Sequence, residues 1–349
     1  MKTQYFLYTP IQQLLKRGQD NLHKWFETGA RILDLYDYPL KKLANNIGKL
    51  SSLLISGKFG NYMEKNEFLS AYFAFFFPQG YYRTFFVLEE ILRLTNFEPE
   101  DNMIINDLGT GPGASIFAAY DIFKDYNPVI TGIEKSKNAL ELAKNIAEKQ
   151  RIKLNLFHGD FNKFELKGEI AILSSALSEQ KNSLKIVEKI MESHRLLILI
   201  EPGWREGYEI IMKISDILKL HPILPCQGNV CKIRGKDWCH AALPFTLPDL
   251  TVRVNSLLSH KLKYIKFTYG VFSSKVSLKT KAPRIISPKI REKGKEIFIV
   301  CDGGEVYKIE KLKKQSIPDF DYASCCDLIS FEGEIKGNAV RLKSMRLLK

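Results

Sequence analysis

Long apolar runs are missing from this 349-residue chain. Its best candidates, Ala71–Phe77 and Leu196–Ile200, stop far short of the roughly 20 residues that span a bilayer, so no membrane-crossing helix is expected. Repeats of fixed period are missing too, which excludes a solenoid. With 22 Gly, 14 Pro and 45% hydrophobic residues, the chain is neither collagen-like nor mainly disordered. The first residues lack the marks of a targeting segment. Tyr5–Tyr8 ends at Pro10, too short for a signal-peptide core, and Asp20, Glu27, Asp34 and Asp37 outnumber Arg17 and Arg31, where a presequence is Arg-rich and acid-poor. A cytoplasmic protein with no membrane partner is expected. Cysteine is scarce, 6 in all, and in a reducing compartment clustered thiols bind metal or do chemistry more often than they form disulfides.

What is abundant is positive charge, and it is uneven. The total of 52 Lys+Arg against 39 Asp+Glu gives +13. Residues 250–349 hold 21 basic and 10 acidic residues, a balance of +11, whereas residues 1–249 are almost neutral. The densest stretch runs from Lys275 to Lys295 and includes Lys289, Arg291 and Lys293. A segment biased in this way favours a polyanionic partner, with those three side chains as the expected contacts to its phosphates.

Periodicity divides the chain. Residues 1–98 read as helical: Leu15, Leu22, Trp25, Phe26, Ile32 and Leu33 recur at helical spacing in Gln12–Tyr36, a helix over Glu67–Phe77 is expected to stop at Pro78, and another over Tyr82–Leu94 follows. Residues 99–222 alternate short apolar runs (Met103–Leu108, Val129–Glu134, Leu154–Phe157, Ile170–Leu173, Leu196–Glu201) with helices, the pattern of a parallel, doubly wound α/β sheet. Residues 223–248 form a cysteine-rich, proline-bracketed loop. Residues 249–349 supply a last core strand, Tyr264–Phe272, and a β-rich basic region with Ile297–Cys301 and Val306–Ile309 flanking an Asp-Gly-Gly turn.

The first apolar run ends in Asp107-Leu108-Gly109-Thr110-Gly111-Pro112-Gly113. Glycines there let the backbone turn sharply and approach a ligand closely, and the amides of the following helix start face an anionic group. The spacing is not the Gly-x-Gly-x-x-Gly of a dinucleotide fold. Glu134 ends the second run, where an acid can accept from ribose hydroxyls, and Asp160 follows the third. This trio resembles the S-adenosylmethionine site of class I methyltransferases. The resemblance implies a Rossmann-like class I methyltransferase sheet in which Gly109, Gly111 and Gly113 line the methionine end, Asp107 orders the loop, Glu134 holds the ribose and Asp160 faces adenine. After the fourth strand stands Ser174-Ser175-Ala176-Leu177-Ser178-Glu179-Gln180, not the Asn/Asp-Pro-Pro-aromatic stretch of enzymes that methylate base amines, so no catalytic residue is assigned.

Cys226, Cys231 and Cys239 fall within 14 residues, and Cys301 ends a strand candidate. Four thiolates from a loop and a distant strand can hold zinc or an iron–sulfur cluster, and the spacing alone leaves the metal open. Cys325 and Cys326, adjacent in the chain, read as core filler or free thiols.

Several further pieces occur in order: Tyr72 with Pro78-Gln79-Gly80-Tyr81-Tyr82, the glycine loop, Ile200-Glu201-Pro202-Gly203, Pro225-Cys226…Cys231…Trp238-Cys239-His240, Tyr264–Tyr269, Arg284…Pro288, and Cys301 with Gly304-Glu305-Val306. Over about residues 65 to 340 the chain resembles the methyltransferase-like family that assists assembly of the mitochondrial small ribosomal subunit, with its bacterial and archaeal relatives. That resemblance implies a [4Fe-4S] cluster ligated by Cys226, Cys231, Cys239 and Cys301, and association with small-subunit ribosomal RNA. Departures are Gln227-Gly228 after the first cysteine, often Pro-His in the family, and Trp204 where a small residue is usual. The expected function is an S-adenosylmethionine-binding, monomeric methyltransferase acting on or with that RNA. Its rivals are a non-catalytic ribosome-assembly factor on the same fold and, more weakly, a zinc-containing small-molecule methyltransferase.

Overall fold

A computed structural model describes residues 10–57, 60–178, 183–228 and 231–348. Three helices come first: α1 (Pro10–Ile32), α2 (Leu40–Ile55) and α3 (Asn66–Leu94). The α3 helix departs from expectation, running unbroken through Pro78. A proline in a helix leaves the carbonyl four residues back without its donor, here that of Ala74. The Thr251 hydroxyl donates to that oxygen at 2.8 Å, and the Gln79 side chain donates to the next carbonyl, Phe75 O, at 2.8 Å. A tertiary contact, invisible at the level of sequence, replaces the bond that Pro78 removes.

The alternating region then folds as expected: β1 (Ile104–Leu108), α4 (Ala114–Phe123), β2 (Val129–Glu134), α5 (Lys137–Lys149), β3 (Asn155–His158), β4 (Gly168–Ser174), α6 (Ser183–Ser193), β5 (His194–Pro202) and α7 (Arg205–Leu218). Next come β6 (Ala241–Leu243), α8 (Asp249–Leu257) and β7 (Ile265–Phe272). One sheet takes the order β3-β2-β1-β4-β5-β7-β6, parallel from β3 to β5, with β7 antiparallel to both β5 and β6. Side chains alternate along β5: Leu196, Ile198 and Ile200 join the core under α1–α5, while Leu197 and Leu199 pack with α6 and α7. The N-terminal helices are therefore the layer that covers one face of the sheet. Trp25 of α1 stacks on Phe117 of α4 at 4.5 Å between ring centroids. Its indole N–H and the Tyr81 hydroxyl both donate to Asp121, at 2.6 and 2.7 Å.

The C-terminal part adds β8 (Arg284–Ile285), β9 (Ile290–Glu292), β10 (Lys295–Asp302), β11 (Glu305–Leu312), α9 (Pro318–Tyr322), β12 (Ile329–Lys336) and β13 (Ala339–Leu347). They form a second sheet, β12-β13-β11-β10-β8, with its own core of Ile285, Phe298, Val300, Ile309, Phe320, Ile329 and Leu342. No helix among the described residues is long and apolar enough to cross a membrane.

Candidate functional site

At the C-terminal edge of the first sheet, the glycine loop has Gly109, Gly111 and Gly113 all at positive φ. At Gly109 a Cβ would meet Ala176 at 2.9 Å, and at Gly113, the residue capping α4, it would meet the Phe117 ring at 2.7 Å. Both positions need glycine for conformation and for space. The amides of Gly109 and Thr110 donate to Ile133 O at 2.9 and 3.1 Å, fastening the loop to the end of β2.

Glu134 completes that edge. Its Oε2 accepts from the Gly111 amide and its Oε1 from the Ser136 amide, each at 2.8 Å. Asp107 lies behind the loop, almost fully buried, with no hydrogen-bond partner on either oxygen. Burial pushes its carboxyl up to about 7; the Thr110 hydroxyl beside it works downward and the Glu134 charge upward. Asp160 stands beyond β3 and is partly exposed. It caps a short turn by accepting from the Asn162 amide at 3.1 Å and pairs with Lys135 at 3.3 Å. Burial opposes its charge, yet those bonds hold its carboxyl below the usual range.

Several residues at this edge are not among the expected site residues. The turn Tyr62–Glu64 lies over the loop, with Met63 within 3.7 Å of where a Gly111 Cβ would be. The Glu64 carboxylate accepts from the Lys137 amide at 2.6 Å, pinning that turn to the start of α5. Glu201, fully buried at the end of β5, accepts from the Leu177 amide at 3.2 Å. Arg83 of α3 could have been noticed as a cation within the aromatic-rich stretch from Phe73 to Phe86. Glu179 lies outside the described residues.

The second candidate centre is a cavity of about 60 Å³ between the two sheets. Cys226, Cys231, Cys239 and Cys301 all line it, and so do Cys325 and Cys326, which are buried in the core as free thiols, as expected. Gly228 brings the segments together: a Cβ there would sit 2.2 Å from Gly303 O, so only glycine lets the Cys226 loop rest on the turn after Cys301. Burial first, then the neighbouring thiols Cys231 and Cys301, push Cys226 up to about 12, with Arg284 opposing. Cys239 and Cys301 are raised by the same crowding. Gathered thiols that repel one another's charge and sit away from water suit a soft, cationic metal group, whose charge offsets both costs. Among the described residues, no three His, Cys, Asp or Glu side chains stand close enough to hold a single metal ion.

Arg284 borders the cavity from β8, paired in register with Cys301. It bridges to Glu90 of α3 at 2.9 Å, and the Tyr269 hydroxyl donates to the same carboxylate at 2.5 Å. This buried triad ties the helical layer to the second sheet.

Residues 67–328, about three quarters of the chain, match the family described as mitochondrial small ribosomal subunit Rsm22. The chain belongs to the Rsm22 family. Comparison with proteins of curated function finds no match. Among solved structures, this Rsm22-family chain is similar to a Listeria monocytogenes protein provisionally assigned to the class I S-adenosylmethionine-dependent methyltransferases: 13% identity over 74% of this chain and 88% of that one, TM-score 0.41. It is also similar to a provisionally assigned RNA methyltransferase of Pyrococcus horikoshii, at 16% identity over 56% of this chain and 84% of that one, TM-score 0.36. A third is an S-adenosylmethionine-dependent methyltransferase of Geobacter sulfurreducens in complex with S-adenosyl-L-homocysteine, at 23% identity over 37% of this chain and 53% of that one, TM-score 0.29.

The basic surplus of this Rsm22-family protein is partly internal. Besides Arg284, Lys311 is buried and bridges Asp321 and Glu296, and Lys295 pairs with Glu310 at 2.8 Å. Of the three expected RNA contacts, Lys289 is half-buried, with its ammonium 5.6 and 5.4 Å from the Phe298 and Phe320 ring centroids and donating to Asp321 O at 2.8 Å. Arg291 is well exposed, though it pairs with Glu296 at 3.3 Å, and Lys293 is exposed. The structure brings Arg291 and Lys293 to one exposed hairpin and turns Lys289 inward.

Proposed function

We propose that this Rsm22-family protein binds S-adenosylmethionine at the glycine-loop edge and uses small-subunit ribosomal RNA as methyl acceptor during ribosome assembly. The observation that carries this reading is the Glu134 carboxylate docked on the Gly111 amide at a parallel sheet edge. An acid held there, beside a loop whose glycines leave room for a ligand, suits a ribose diol, and Asp107 behind the loop suits a cationic cofactor. When bound, S-adenosylmethionine supplies an electrophilic methyl group. The protein's share is to position an RNA nucleophile in line with it and to exclude water, which the turn bearing Met63 favours. Titration calorimetry with S-adenosylmethionine should give a clear heat that Glu134→Ala abolishes; no heat with wild type overturns the reading. Tritium transfer from labelled cofactor to precursor small-subunit RNA tests the reaction itself. A non-catalytic assembly factor is the second reading, supported by the end of β4, where Ser174 to Leu177 offer no acidic or amide side chain to an acceptor. Absence of transfer alongside RNA binding would favour it.

We further infer that Cys226, Cys231, Cys239 and Cys301 hold a [4Fe-4S] cluster. Four thiols lining one cavity, three from a loop and one from β10, suit a polynuclear cluster that takes one thiolate per iron. The cluster would supply cross-linking between the Cys226 loop and β10. Anaerobically purified protein should be brown, absorbing near ~400 nm, with iron on analysis; a colourless protein carrying stoichiometric zinc refutes the assignment.

A further inference from the structure

Arg83 presents a cation with an unanswered need. Its Nε is shielded from water and has no hydrogen-bond partner, and its Nη2 reaches only the neutral Gln79 side chain, at 3.4 Å. Burial pulls its guanidinium down to about 10, against the pull of Tyr72 and Glu201. A guanidinium taken out of water normally has a carboxylate in bidentate contact, because the desolvation cost is otherwise left standing. Glu201 attracts Arg83 through its charge.

Its place in the fold says which anion could answer. One turn before Arg83, the helix α3 passes the start of α4 so closely that a Cβ on Gly80 would meet the Ala114 Cβ at 3.2 Å, and Ala114 directly follows Gly113 of the glycine loop. On its other side stands Glu201 at the tip of β5, bonded to the Leu177 amide beyond β4. Arg83 therefore looks onto the edge where β1, β4 and β5 end, the place where ligands enter an open α/β sheet. A guanidinium whose Nε lacks an acceptor at that place complements the α-carboxylate of an amino-acid moiety. A polymer phosphate would have to follow Arg83 into this shielded position, whereas the free end of a small cofactor need not.

We propose that Arg83 binds the α-carboxylate of the methionine moiety of S-adenosylmethionine, through Nε and an Nη donor, making it a cofactor-binding residue. The proposal rests on the cofactor reading above and adds the end of the molecule that α3 holds. Calorimetry on the full chain with S-adenosylmethionine and its decarboxylated analogue, which differ only in that carboxylate, separates the two ideas. Wild type should prefer the intact cofactor by about 10- to 100-fold, the worth of charge-assisted hydrogen bonds. Arg83→Met should bring the two affinities together while leaving the analogue's own affinity unchanged, and Arg83→Lys should restore part of the preference. Equal weakening of both ligands in Arg83→Met, or a wild type indifferent to the carboxylate, overturns the role of Arg83 while keeping the cofactor site. A variant that keeps the preference for S-adenosylmethionine but loses affinity for a single-stranded RNA oligonucleotide assigns the cation to phosphate and overturns it too. If wild type binds neither ligand, both readings fall.

Discussion

The glycine-loop edge and the cysteine cavity differ in how far apart along the chain their parts lie. At the glycine loop, Asp107, Glu134 and Asp160 are delivered by successive strand ends, and the sheet register alone sets them side by side, with Gly132 opposite Asp107 and His158 opposite Glu134. At the cavity, Cys226, Cys231 and Cys239 come from one loop, Cys301 from the second sheet, and Cys325 and Cys326 from the segment before β12. The first arrangement exists as soon as the parallel sheet forms. The second exists only after two sheets dock, and it gathers groups that resist burial together. Position at an edge comes cheaply from topology; position between modules must be held by something else.

The buried Glu90–Arg284 pair is what holds it, so the largest expected effect comes from breaking it. Glu90→Ala leaves a buried guanidinium uncompensated and should cost about 3–5 kcal/mol in denaturant unfolding. It should also lower the metal content of the purified protein, while S-adenosylmethionine affinity in the folded fraction changes little. A loss under about 1 kcal/mol would mean that the two sheets dock without the pair.

Asp107 tests the other side. Its carboxyl titrates at about 7 in the folded protein, raised chiefly by burial, and near ~3.9 when unfolded. Folding therefore favours the neutral acid: this contribution is complete below about pH 4 and is lost as pH rises through 7. Ligand-free wild type should lose roughly 2–4 kcal/mol between pH 4 and pH 8 that Asp107→Asn retains. Parallel stability–pH curves for the two proteins would show that Asp107 is not desolvated.

The smallest effects separate cations within the C-terminal sheet. Lys289→Ala removes two cation–π contacts and should cost about 1 kcal/mol of stability, whereas Lys293→Glu should leave stability within about 0.5 kcal/mol. For RNA the order reverses: Lys293→Glu and Arg291→Glu should weaken binding and flatten its salt dependence by about one counterion each, measured by fluorescence anisotropy against salt. Equal effects of Lys289 and Lys293 on RNA would mean that the ring contacts of Lys289 give way to phosphate.

Much of the α/β pattern was legible in the residues because it rests on local causes. Strand ends between residues 103 and 202 follow from apolar period and glycine placement, and the observed bounds lie within about two residues of the expected ones. Pro78 misled for the same reason. Its local preference for breaking a helix was outweighed by Thr251, far along the chain. The short β6 and α8 gave too few residues for a period to show. The net charge of residues 250–349 was countable, but which cations face water was not, since Arg284 and Lys311 are buried by partners whose approach no spacing encodes.

By itself the sequence determined the parallel sheet, the glycine loop with Glu134 at its side, and the number of thiols available, because each depends on residues that are neighbours or sit one β-α unit apart. Only the tertiary structure decided that all six cysteines meet in one cavity, that the Arg83 Nε is buried without a hydrogen-bond partner, and that Lys289 turns inward. Those outcomes depend on how layers pack and which charges burial forces to find partners. Such choices are made by free energy summed over distant contacts, not by any one stretch of chain.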